Sequence, residues 1–320
     1  MAHELVADAY NRARIKAEKL LREREQEARA IPGFSEILDK IIEKNRERIE
    51  AQRRNLMDLR ISEIFKELSN LEKEKTAVLK RVNYGVNFLT DVYQCAKCED
   101  KGENPKNGSR CECYKKRLSE AYMVLLGLEK ELEKKNFKTF DISLFEEDSK
   151  KKMEEAKKLS EQFVEYFSNG QLISNLLFVG PVGSGKSFML FCITKELIEK
   201  GFFVLHITAS KLFNRFHDFI FDKTESDADF LKTTFEADLL VIDDLGSESA
   251  SEPAKSKFLE LIEERMSKNL PIAISTNLST DEIILRYTDR ILSRFMGDFQ
   301  LVEFPSEDLR IKKVKRNLEK

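Results

Sequence analysis

Apolar positions recur along this chain with two periods, and the change falls near residue 170. Residues 2–30 read as one helix, free of internal breakers and supported by i,i+4 pairs such as Glu18 with Arg22 and Glu25 with Arg29. Pro32-Gly33 ends it. From residue 34 to about 82 the helical spacing returns. Ile61, Ile64, Leu68, Leu71, Val78 and Val82 follow a 3-4 alternation, with Lys75 in its one polar slot. Such a seam suits a helical hairpin packing on its own chain, or an arm that docks on a partner. A short Cys-containing loop, 95–113, precedes a charged helix over about 114–135, a linker-like stretch at 136–149 and an amphipathic helix over 150–167. Beyond the Asn169-Gly170 turn the pattern changes to short apolar runs at 176–179, 202–207, 239–242, 272–275 and 301–304. Helical segments separate them, the first being 187–200, closed by Gly201. This is the βαβα order of an α/β domain, a parallel sheet covered by helices on both faces.

Composition narrows the choice. The chain has 320 residues, 35% of them charged, unevenly spread, so two or three modules are expected. Its 55 basic and 57 acidic residues leave a net charge of -2, which argues against coating nucleic acid by bulk electrostatics. No apolar stretch reaches the roughly 18 residues of a membrane span, and no signal-peptide apolar region opens the sequence. The expectation is a cytoplasmic protein, with no membrane partner and reduced thiols.

The strongest chemical signal is Gly180-Pro181-Val182-Gly183-Ser184-Gly185-Lys186-Ser187, a full match to the phosphate-loop pattern between a strand and a helix. In that setting backbone N–H groups and the helix amino end face the phosphates of ATP. Lys186 is placed to reach the β and γ phosphates, and Ser187 to put its hydroxyl on Mg²⁺. The strand at 239–242 runs into two acids. Asp243 is the candidate magnesium partner, and Asp244 the candidate group that orients or deprotonates the attacking water. Another strand ends in Ser275-Thr276-Asn277, where Asn277 is placed to hold that water or the γ-phosphate. Arg290 and Arg294 share a helix face, and Arg294 is the better candidate for reaching a neighbouring subunit's γ-phosphate. Arg310 is a further candidate phosphate contact from the same chain.

Cys95-x₂-Cys98 and Cys111-x-Cys113 bring four thiols within 19 residues, the ligand set of a closed, structural Zn²⁺ site. Cys192 stands apart as a small buried residue. Basic and aromatic residues interleave at 210–217, where Lys211 and Arg215 are the candidate DNA contacts and the aromatics fit a core better. The run 312–316 is a second basic patch.

Together the phosphate loop, Asp243-Asp244-Leu245-Gly246, Ser275-Thr276-Asn277 and the 290–294 pair resemble the AAA+ helicase-loader group of DnaC and DnaI proteins, over about residues 136–320. The transposition helper ATPase IstB is also similar. The resemblance implies an AAA+ P-loop ATPase domain at 151–320, a linker at 136–150, and an amino-terminal domain at 1–135 that grips a hexameric replicative helicase. It also implies single-stranded DNA and neighbouring subunits as partners of the ATPase part. A helical region followed by a cysteine module looks like loaders of the DnaI kind; the alternative is an IstB-like helper of a DNA transposase.

Overall fold

Helices dominate the first hundred residues of the computed structural model, which describes residues 2–53, 58–85, 87–105, 107–222 and 224–308. They are α1 (Ala2–Arg29), α2 (Phe34–Arg53) and α3 (Asp58–Arg81). The chain forms two compact units, one of residues 7–109 and one of residues 1–6 with 110–320. In the first, α2 packs along α3 as the hairpin reading expects, burying Ile41, Ala51, Ile64, Val78 and Leu79. Val82, the last position of the expected seam, is 42% exposed. A small core of Ala28, Phe34, Val78 and Leu79 sits at one end of the hairpin, flanked by Ile31, Ile37 and Leu38.

The second unit holds a five-stranded parallel sheet in the order β2-β3-β4-β1-β5. Its strands are β1 (Asn175–Val179), β2 (Val204–Thr208), β3 (Leu239–Leu245), β4 (Ile272–Thr276) and β5 (Phe299–Glu303), each within a few residues of its apolar run. Side chains alternate between faces. Leu176, Phe178, Val204, Leu239, Val241, Ala273 and Val302 form one buried layer with the helices at Glu147–Ser168 and Lys186–Glu199. Leu205, Ile207, Leu240 and Ile242 fill the intervening positions, and the helix Ala209–Phe221 packs on β2 and β3, its Phe213 against Phe258. Two covered faces explain why the strands read as unbroken apolar runs; each large side chain so buried stabilises by about 1.5–3 kcal/mol. The doubly covered P-loop sheet of the expected fold class is thus present.

Three expectations need correction. The charged helix over 114–135 is two, α4 (Glu112–Leu125) and α5 (Glu129–Lys134). Gly127 adopts φ +68°, its N–H donating to Val124 and that of Leu128 to Met123, the paired bonds of a glycine-terminated helix. The 136–150 stretch is no free linker, because Phe137, Phe140 and Phe145 are buried in the same layer as Phe178. The division expected at residue 135 falls at 109/110, because α4 packs on β2. There Ser119 accepts the Val204 N–H at 2.9 Å, and Tyr122 hydrogen-bonds Thr233 at 2.9 Å. No helix among the described residues is long and apolar enough to cross a membrane.

Numbering continues with α6 (Glu147–Ser168), α7 (Lys186–Glu199), α8 (Ala209–Phe221), α9 (Glu225–Glu236), α10 (Glu252–Ser267), α11 (Thr280–Arg286) and α12 (Asp289–Asp298).

Candidate nucleotide site

β1 ends at Val179 and α7 begins at Lys186, so residues 180–185 form a tight loop over the carboxyl edge of the sheet. Gly180 has φ +157°, and a side chain there would come within 2.8 Å of the Phe304 carbonyl, so no other residue fits. Gly183 and Gly185 also take positive φ, which turns the loop into the amino end of α7. The Lys186 ammonium donates to the Gly180 and Pro181 carbonyls at 2.6 and 2.8 Å, folded back onto the loop. Ser184 lies wholly buried, and its hydroxyl has no hydrogen-bond partner among the described residues.

Asp243 sits opposite α7 at the end of β3, buried. Its Oδ1 accepts the Ser187 hydroxyl at 2.9 Å and the Ser275 hydroxyl at 2.5 Å. Ser275 also accepts the Asp244 N–H at 2.9 Å, tying β4 to both acids. The β3–β4 register shifts between Ile242 and Leu245, and Asp244 takes φ +60° within that irregularity, with its side chain exposed. A bulge here aims consecutive acids differently, one inward and one outward. The hydroxyl of Ser187 and the carboxylate of Asp243 are hard oxygen donors of the type Mg²⁺ takes, and their adjacency fits that ion beside a triphosphate.

Ser275, not Asn277, is the β4 residue that joins this cluster. Asn277 is exposed and makes no side-chain hydrogen bond among the described residues. Alternation along the strands would have found the serine, since Ala273 and Val241 share one face and residues 275 and 243 follow two places on. Arg294 is 44% exposed and ion-paired with Glu263 at 3.3 Å and Asp298 at 3.6 Å. Arg290, one turn earlier on α12, is exposed without an ion pair among the described residues. Arg310 and the 312–316 run lie outside the described residues. The candidate DNA contacts are engaged internally: Lys211 donates to the Leu126 carbonyl, and Arg215 pairs with buried Asp227 at 2.7 Å. Phe213 and Phe216 are core, as expected.

Beneath the site, His206 on β2 is fully buried, stacked on Phe191 and bonded through Nδ1 to Thr194 at 2.9 Å. Burial lowers its pKa to about 4, against the attraction of Asp243, so the ring is neutral near pH 7. Cys192 is buried on α7, its thiol pushed up to about 12 by burial, which leaves it unreactive.

Cys95, Cys98, Cys111 and Cys113 bring their sulfurs within 4.8 Å of one another. A tetrahedral Zn²⁺ with sulfur ligands has edges of about 3.8 Å, so four thiolates this close fit that ion. The buried Asp100 carboxylate accepts the Gln94 and Cys95 N–H groups, both at 2.9 Å, fixing the backbone at the first thiol.

A parallel sheet, a glycine loop opening α7 and the Ser187–Asp243 pair define a P-loop nucleotide-binding protein. The chain belongs to the IstB-like ATP binding protein family, whose model matches residues 115–316, more than half its length. It is 29% identical to the replicative helicase loader DnaC of Escherichia coli (strain K12) over 133 residues, 42% of this chain and 54% of that one. To the replicative helicase loader DnaI of Bacillus subtilis (strain 168) it is 31% identical over 115 residues, 35% of this chain and 36% of that one. The match thus spans about half the length of the DnaC relative and about a third of DnaI. A crystal structure of the DnaC helicase loader superposes with a TM-score of 0.47 and 23% identity, over 55% of this chain and 99% of that one.

Proposed function

We propose that this chain is an ATP-dependent loader that holds a hexameric replicative DNA helicase and delivers it onto single-stranded DNA, hydrolysing ATP as it does so. The observation that carries the motor is the convergence of Ser187 and Ser275 on Asp243 beside the phosphate loop. In this reading the loop amides and the amino end of α7 bind the triphosphate, and Lys186 exchanges two backbone carbonyls for phosphate oxygens. Ser187 and Asp243 hold Mg²⁺, which offsets phosphate charge. Asp244, next in the chain and facing solvent, orients or deprotonates the attacking water. Asn277 lies near enough in sequence to β4 to serve that water or the γ-phosphate from the exposed side.

Arg294, with Arg290 beside it, reaches the nucleotide of an adjacent subunit, exchanging Glu263 and Asp298 for phosphate and making turnover depend on self-association. Arg310 contacts phosphate in its own chain. The amino-terminal residues 1–135 carry the helicase contact; exposed Ile42, Ile49 and Phe65 on α2 and α3 support a docking role there. Zn²⁺ on Cys95, Cys98, Cys111 and Cys113 is structural. The matches to loaders favour helicase over transposase as the partner.

Two measurements on the intact chain test this. Lys186→Ala is expected to abolish ATP affinity, whereas Asp244→Ala keeps the affinity and loses turnover by about 100-fold or more. The wild-type chain is expected to co-elute with a purified hexameric replicative helicase. Unchanged ATP affinity in Lys186→Ala, or co-elution with a transposase and no helicase, ends the reading.

A further inference from the structure

The turn that follows Asp244 is held from both sides by residues outside the phosphate-loop motifs. The Asp244 carbonyl accepts the Ser247 N–H at 3.2 Å and its hydroxyl at 2.8 Å, and Ser247 meets the Ser210 hydroxyl of α8 at 3.2 Å. One residue earlier, the Gly246 N–H donates to Glu248 Oε2 at 2.9 Å, while its carbonyl accepts the Arg286 guanidinium. The other carboxylate oxygen of Glu248 accepts the Tyr287 hydroxyl. Both polar groups of the Gly246 peptide are therefore gripped by the carboxyl end of α11, one directly and one through Glu248.

Tyr287 is only 4% exposed, with its ring against Phe213 and Phe258 at 6.1 and 5.9 Å. Burial and the neighbouring carboxylate raise its pKa, so the hydroxyl stays protonated and donates. Gly246 itself has φ +106° and no room for a side chain, which would meet Leu278 at 2.6 Å. The next residue, Thr288, caps α12 by accepting the Ile291 N–H at 3.3 Å. The turn after Asp244 is thus hydrogen-bonded to Arg286 and Tyr287, the residues that lead directly into the cap of the helix bearing Arg290 and Arg294.

We propose that Tyr287 and Glu248 are positioning residues that fix Asp244 for water attack and couple its placement to the seat of α12. The inference rests on the reading of Asp244 as the water-orienting acid. Neither residue touches the phosphate loop in the contacts described, so nucleotide binding should be indifferent to both, whereas turnover should not. A buried aromatic hydroxyl on a carboxylate is a strong, directional restraint, and a displacement of about 1 Å at a catalytic acid costs up to about 100-fold in rate.

The decisive variant is Tyr287→Phe, which keeps the ring packing and removes only the hydroxyl. Expected are a fall in kcat of about tenfold or more, an ATP Kd within about twofold of wild type, and faster amide exchange at residues 244–248. Glu248→Ala should match it, Glu248→Gln should recover part of the rate, and the double variant Tyr287→Phe/Glu248→Ala should be no slower than either single. Wild-type turnover in Tyr287→Phe while Asp244→Ala is inactive overturns the clamp alone. So does an equal loss of ATP affinity and turnover, in that variant and in Glu248→Gln alike. Full turnover in Asp244→Ala removes the underlying reading and the clamp with it.

Discussion

The sheet-bearing unit buries many polar side chains, Ser119, Thr194, His206 and Arg265 among them, and a group of them, Ser184, Lys186, Asp243, Ser275 and Thr276, gathers at the carboxyl ends of β1, β3 and β4. The helical unit of residues 7–109 buries one such side chain among the described residues, Asp100, and it serves the backbone of the cysteine loop. Elsewhere its polar groups pair at the surface, as Lys44 does with Glu47 and Glu67. The difference follows from where backbone is fixed. Burying hydroxyls and carboxylates is tolerable only where partners are held in place, and a parallel sheet packed on both faces holds them. Paired helices with a thin core offer fewer such places and present side chains outward.

The comparison breaks most readily at Phe34, which is fully buried in the small helical core. Phe34→Ala should destabilise the 7–109 unit by about 3–5 kcal/mol. If the two units do separate work, ATP affinity should stay within about twofold of wild type at temperatures below the first unfolding transition. Calorimetry with and without ATP checks both statements; a parallel loss of nucleotide binding would show that the motor depends on the helical core.

The phosphate loop, Asp243 and all five strands were legible because each rests on local grammar: a glycine spacing, or an apolar run between turn residues. Position along the polar run points to Asn277, whereas strand alternation selects Ser275, the residue that bonds Asp243. Arg215 looked like a free cation because its partner, Asp227, comes 12 residues later on another helix. Phe137, Phe140 and Phe145 looked like a linker because irregular backbone gives aromatics no period to recognise, although their burial places them in the core. The split at Gly127 had a visible glycine, yet the charged pattern ran on through it. What sequence missed is contact across elements.

His206 sharpens the account of polar burial in the sheet. Its pKa, lowered to about 4 by burial, lies below the ordinary value of 6.5, so the unfolded chain takes up the proton first as pH falls. The stability this contributes is present above about pH 6.5 and is lost progressively toward pH 4, on the order of 3 kcal/mol in all. Denaturant titrations between those limits should show the slope in wild type, and His206→Leu should remove this share of it. An unchanged slope would mean that the ring titrates alike in the folded and unfolded chains.

The smallest effect is expected at Lys44, despite two short ion pairs at 3.0 and 2.9 Å. Both carboxylates raise the pKa of the half-buried lysine, Glu67 first, but the carboxylates themselves are 45% and 37% exposed, so hydration and mobile ions compete with both contacts. Lys44→Gln should leave the thermal midpoint of the 7–109 unit unchanged within calorimetric error. Raising salt to about 0.5 M should likewise do no more to wild type than to the variant, since the Debye length is then below about 5 Å. A clear drop in the midpoint, reversed in Lys44→Arg, would mean that the helical unit depends on its surface charges as the sheet depends on its buried hydroxyls.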